Sequence, residues 1–521
     1  MIERMRPADT NGTVIVSATS KRIGQRPRRS WSVSSVLSLV LALSSVVTIT
    51  TTTFAINTVA GQTPSQTPGG PKVVAPPANG ATKTAATAVT GAGVASAESA
   101  AALLTEFEVN GLKVLVKRRA GSQTIVAGLF LRGGSRNITV ENAGIEALML
   151  DTATEASAKY PRERMRTELS RIGTSISYGI NYDYSALTLG TTRVNFDRSW
   201  DIFTDVALRP AFTKDDVERV RNRLVVSLGD DKDVPDSYLQ VLQSQVAYAG
   251  HPYLNNPQGT AAAVGRLTPE DLRRYHQQMM QTSRLLLVVV GDLDAQQVRQ
   301  RIAQTFGKLP RGDYRPQPLP PLAFNNPSVE VTPRGLPTNY IQGVFSAPAL
   351  TSPDIHPMRI ASTILQGRVL TEVRYRRNLS YAPNAFLESQ GANIGGIYVT
   401  AVDANQSIRV MLAEIAHLQN DPVDKQDITS TVQHYLTKYY LGQETNAAQA
   451  GELAMYELIG GGWRNSLDFI ERLRAVTPEE VQRVARTYMR NIRFVVIGDP
   501  ARVDKNVFLS QTLEDRTLKF D

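Results

Sequence analysis

The chain has 521 residues, 57 Lys and Arg against 48 Asp and Glu, and no cysteine, which excludes disulfides, thiolate metal sites and cysteine nucleophiles. The net charge of +9 invites a nucleic-acid reading, but the basic residues are interspersed with acidic ones, so no nucleic-acid partner is expected.

Residues 1–60 combine a basic stretch (Lys21, Arg22, Arg26, Arg28, Arg29) with an uncharged, largely apolar run over 36–55. That order reads as a secretory signal cleaved near Ala60, or as a membrane anchor if the leader is retained. The expected address is outside the cytoplasm, in a periplasm, with inner-membrane attachment through 36–55 as the variant. Residues 61–102 are rich in Pro, Ala and Thr and poor in large apolar side chains, the composition of a disordered tether.

Alternating strands are predicted at 111–117 and 124–131, adjacent and antiparallel, the second running into Arg132-Gly133-Gly134-Ser135-Arg136. Helices follow over 141–157 and 161–171, then a strand hairpin over 175–184 and 186–193. Further helices are predicted at 199–207, 214–230 and 236–249. The segment Leu267-Thr268-Pro269-Glu270-Asp271-Leu272 opens another helix, followed by the apolar strand Leu287-Val288-Val289-Val290-Gly291-Asp292. The same sentence recurs as Val476-Thr477-Pro478-Glu479-Glu480-Val481 and Phe494-Val495-Val496-Ile497-Gly498-Asp499. A repeat this long means two copies of a whole domain. The first copy spans 103–312 and the second 328–521. Between them lies a linker, 313–327, in a stretch marked by Pro310, Pro316, Pro318, Pro320, Pro321 and Pro327. The second copy reads as a strand at 340–345, a helix from Pro357 to about Arg377, a strand pair within 385–402, two long helices and the closing strand. The fold class is α+β: two homologous domains, each a largely antiparallel sheet packed with helices.

Several of these segments resemble the M16 (insulinase/pitrilysin-like) metallopeptidases. Leu131–Arg136 followed by Glu141-Asn142-Ala143-Gly144-Ile145 is similar to that family's approach to its active-site helix. His251-Pro252-Tyr253, Gly259-Thr260 and Leu267–Leu272 resemble later landmarks, and Thr371 to Tyr381 resembles the second-domain signature. The resemblance covers about 103–510 and implies that the two domains form half of a clamshell.

Members of that family bind zinc through an inverted H-x-x-E-H helix and a downstream glutamate, the glutamate between the histidines serving as general base. Here Ala147, Leu150 and Asp151 stand at the histidine, glutamate and histidine positions, and Ser227 at the downstream ligand. No other register supplies the motif, because the first histidine of the chain is His251 and the five histidines contain no i, i+4 pair. Ala147 and Leu150 read as helix core, Asp151 as a solvated or capping carboxylate, Glu146 and Glu155 as surface charges, and His251 as loop structure. No cofactor is expected in this chain. Arg374 and Tyr381 match the arginine and tyrosine with which active members bind the substrate peptide opposite the zinc; the other reading puts Arg374 on a solvated helix face and Tyr381 in the domain core. Arg368 and Arg377 read as surface charges, and the usual glycine-rich turn is reduced to Gln366-Gly367-Arg368. The resemblance therefore implies a non-catalytic, peptide-binding subunit whose homologous partner carries the zinc. A purely structural subunit or a stand-alone peptide-binding clamshell are the alternatives.

Overall fold

The computed structural model describes residues 101–230 and 232–510. The expected leader (1–60), the tether up to residue 100 and the last residues, 511–521, lie outside the described residues. Among the described residues no helix is long and apolar enough to cross a membrane.

The first half builds a six-stranded sheet from β1 (Leu104–Val109), β2 (Leu112–Arg118), β3 (Thr124–Arg132), β4 (Ser175–Ile180), β5 (Tyr184–Thr192) and β6 (Leu285–Gly291), in the order β1-β2-β6-β3-β5-β4. Its helices are α1 (Ile145–Glu155), α2 (Arg162–Arg171), α3 (Phe196–Leu208), α4 (Lys214–Asp230), α5 (Pro235–Ala247), the single turn α6 (Ala261–Val264), α7 (Pro269–Met279) and α8 (Ala295–Gln304). The second half builds β7 (Ser328–Pro333), β8 (Asn339–Ser346), β9 (Asn384–Leu387), β10 (Ile394–Ala401) and β11 (Arg493–Gly498), in the order β7-β11-β8-β10-β9. Helices α9 (Ile355–Val369), α10 (Ala404–Asn420), α11 (Lys425–Gly442), α12 (Asn446–Ile459), α13 (Phe469–Arg474), α14 (Pro478–Tyr488) and α15 (Lys505–Leu509) complete it.

The repeated segments occupy the same place in both sheets. Thr268 and Thr477 form capping boxes with Asp271 and Glu480 at the starts of α7 and α14. The strands that follow, β6 and β11, are each parallel to one neighbour (β2, β7) and antiparallel to the other (β3, β8). This corrects the expectation that β2 and β3 pair directly, since β6 lies between them. Burial explains the insertion. All seven residues of β6 are buried, so it belongs at the centre of a sheet covered on both faces. Two strands were not anticipated. One is β1, joined to β2 by a tight turn with both Asn110 (φ 50) and Gly111 (φ 79) in the left-handed region. The other is β7. Five helices, α10 to α14, lie between β10 and the closing strand β11 where two long ones were expected, and three of them (α10, α11, α12) are long. Helix α1 starts at 145 rather than 141, because Gly144 (φ 90) turns the chain just before it.

Each sheet packs one face on its own helices and lends the other to a helix from the opposite half. Leu129, Leu287 and Val289 face Leu148 and Phe203 in the first core; Phe345, Ile397 and Val496 face Met358, Leu365 and Met411 in the second. On the reverse faces, Leu115, Phe130 and Val288 pack against Leu453 and Ala454 of α12, and Val495 and Ile497 against Leu239 of α5. Polar contacts fix both covers: Asn446 Nδ2 donates to the Thr124 carbonyl (2.6 Å), and Tyr398 Oη to Asp236 (2.5 Å).

Candidate functional site

Helix α1 carries three of the four positions where the resemblance puts metal ligands. Ala147 and Leu150 are buried, as core residues should be, and neither has a ligand atom. Asp151 is also buried, 6% exposed, which corrects its reading as a solvated or capping carboxylate. Arg223 Nη2 donates to both of its oxygens, at 2.8 and 2.9 Å. Burial pushes the Asp151 carboxyl up, while Arg223 and the Tyr178 hydroxyl pull it back. Arg223 also reaches Glu155 (3.4 Å), which Arg162 Nε holds at 3.0 Å, so Glu155 is a half-buried ion-pair partner rather than a loose surface charge. Arg223 projects from α4. Ser227 lies one turn further along the same helix and is exposed. These four positions do not fit a zinc ion: they offer one carboxylate, and a guanidinium already holds it.

Glu146 differs most from expectation. It is 1% exposed and accepts hydrogen bonds from Tyr275 Oη (2.6 Å), Asn137 Nδ2 (3.1 Å) and the Ser185 hydroxyl. Burial raises its carboxyl above the ordinary range, and the three donors oppose that. Its reading as a surface charge fails because α1 has no solvent face to spare: every residue from Ile145 to Ala153 is buried. His251 does serve loop structure. Its Nδ1 accepts from the Tyr253 N–H (3.1 Å), so Nε2 carries the proton and donates to the Pro320 carbonyl (3.0 Å), and burial lowers its pKa.

The second half presents a different surface. Helix α9 does not run on as an α-helix; residues Leu370–Arg376 form a π-helix, a widening often associated with functional sites. Its end is fastened by Leu379 N–H donating to the Val373 carbonyl (2.9 Å), with Asn378 left-handed (φ 50). Glu372 accepts from Arg376 (2.7 Å) and from Arg377, so Arg377 is a half-buried ion-pair partner rather than a free surface charge. Arg368 is half-buried. Arg374 and Tyr381 are brought together: Arg374 Nη1 donates to the Tyr381 carbonyl (3.0 Å), and the guanidinium carbon lies 5.9 Å from the Tyr381 ring centre. The Tyr375 ring centre lies 5.6 Å from the same carbon. Tyr381 is 76% exposed and so is not in the domain core. The remaining guanidinium N–H groups and the phenols form an open set of donors suited to peptide carbonyls. Tyr375 was not singled out in the sequence, where only its place beside Arg374 pointed to it.

Residues 113–255 match the family model for insulinase (peptidase family M16), and residues 266–435 match that for the peptidase M16 inactive domain. The chain is 20% identical over 403 residues to an uncharacterized zinc protease of Streptomyces coelicolor, covering 74% of this chain and 88% of that protein. It is 21% identical over 417 residues to the mitochondrial-processing peptidase subunit beta of Blastocladiella emersonii, covering 75% and 87% respectively. The crystal structure of a peptidase M16 inactive domain from Pseudomonas fluorescens matches with a TM-score of 0.70 at 18% identity, covering 76% of this chain and 98% of that one.

Proposed function

Since the chain belongs to the M16, insulinase-like peptidase family, we propose that it is the substrate-binding, non-catalytic subunit of a heteromeric peptidase. A homologous partner would hold the zinc and supply the activated water. This chain's part is to orient the substrate: Arg374 and Tyr381 hydrogen-bond the peptide backbone and offer donors to the oxygen that gains charge as water adds. One contrast carries the reading. The Arg374–Tyr381 pair is assembled and open to solvent, whereas Asp151 is buried under Arg223. Relatives that are by name subunits of larger peptidases support a heteromeric state.

The test is reconstitution with a homologous chain carrying intact H-x-x-E-H. Peptide hydrolysis should rise on mixing, and Arg374→Ala with Tyr381→Phe should lower it about a hundredfold while the subunits still associate. No rise, or a rise the double variant leaves intact, sinks the reading and leaves a scaffold. A stand-alone peptide-binding clamshell would instead bind peptide with no partner present.

The composition of residues 1–60 supports export, with the leader either cleaved or kept as an anchor. The mass of the mature N-terminus decides between them.

A further inference from the structure

The turn that follows β3, Arg132 to Arg136, has no part in the proposed peptide site. Gly133 (φ 117) and Gly134 (φ 50) bend it sharply, and a side chain at Gly134 would run into the Tyr182 carbonyl. The bend points two arginines into one cavity of about 280 Å³, under the linker and between the two halves.

Arg132 is half-buried, and its guanidinium makes no hydrogen bond or ion pair among the described residues. Leaving a cation out of bulk water with no direct counter-charge is costly. Glu457 is the carboxylate nearest enough to act on it, yet Glu457 is held by Lys113 Nζ (2.6 Å) and the Trp463 N–H (3.2 Å). Arg136 donates to two neutral carbonyls, of Gly133 (3.2 Å) and Gln317 (2.9 Å), and its charge acts on the nearby Asp183 carboxyl without a direct ion pair. Asp183 is the one carboxylate in the cavity lining. It accepts from Tyr253 Oη (2.5 Å) and the Gly391 N–H (3.0 Å), contacts that clasp the β9–β10 turn to the first half. Two guanidiniums thus face the cavity against one committed carboxylate.

We propose that this cavity binds a small oxyanion, through a phosphate or carboxylate group gripped by Arg132 and Arg136. Guanidinium forks match either group bidentately. The cavity volume suits a small molecule rather than a folded segment. Because linker residues and the β9–β10 turn form its walls, occupancy would tie the two halves more firmly together.

Titration calorimetry and thermal unfolding of the full chain, with inorganic phosphate or citrate against sodium chloride at matched ionic strength, test the site. Saturable binding and a raised Tm with at least one anion are expected. A response to phosphate alone assigns a phosphoryl ligand, and a response to citrate alone a polycarboxylate. Arg132→Gln should weaken binding at least tenfold, and exposed Arg490→Gln should leave it unchanged. If Arg132→Gln fails to fold, Arg136→Gln provides the same reading. No saturable response to either anion overturns the proposal, as does one that both cavity variants retain.

Discussion

Helix α1 and the helix formed by α9 with its π-helical extension occupy comparable stations in the two halves but have met opposite fates. The first is buried from Ile145 to Ala153, the one carboxylate among its ligand positions, Asp151, paired with Arg223 and its Glu146 wrapped by three donors. The second departs from α-geometry to push Arg374, Tyr375 and Tyr381 into solvent. A helix sealed by its own contacts contributes to stability, whereas one opened to solvent leaves its donors exposed.

The largest expected effect is at the closed site. Glu146→Ala strands the Tyr275, Asn137 and Ser185 donors beside a void and should cost about 3–5 kcal/mol in urea unfolding. A cost below about 1 kcal/mol would mean that these donors find other partners, and the contrast between the two helices would weaken. Arg223→Ala leaves Asp151 buried without its counter-charge. Discounted for the half-exposed guanidinium, the loss should be about 2 kcal/mol at neutral pH. It should shrink toward pH 4, where the stranded carboxyl can take up a proton, so a loss independent of pH would contradict the ion pairing.

The next effect lies between the halves. Burial pushes the Glu388 carboxyl, just after β9, up to about 7 from an ordinary 4.5. The folded state therefore holds a proton that the unfolded state has released. The stability this confers is complete below the ordinary pKa and is lost as pH rises through the folded one. Glu388→Gln should flatten the decline between pH 5 and 8 by about 1–2 kcal/mol. An unchanged pH profile would show that the carboxyl is solvated. The smallest effect belongs to the open site: Arg374→Ala with Tyr381→Phe should shift unfolding by less than about 0.5 kcal/mol. A clear destabilisation would mean that the pair is structural, which is the sharpest way to break the comparison.

Local signals in the sequence were read well. The capping boxes, the full extent of α4 and the β4–β5 hairpin all rest on patterns a few residues long. What escaped depends on residues far apart. Nothing near β2 or β3 announces that β6 will part them, and nothing in α12 says that it will cover another half's sheet. The vacant ligand positions were visible as letters. That Asp151 would meet Arg223 was not, because the partner lies on another helix and ion pairs leave no periodicity. The fate of Glu146 was hidden by a helix whose polar residue faces inward.

The exchanged helices also set an order of events during synthesis. As the chain emerges, Leu115, Phe130 and Val288 form a sheet face whose cover, α12, belongs to the last part of the polypeptide. Until Leu453 and Ala454 have been made, that face is bare and prone to mispairing. Neither half should therefore mature alone. A nick in the linker would leave two fragments that still embrace, whereas a stop codon before α12 should yield an aggregating product even though β1 to β6 are complete.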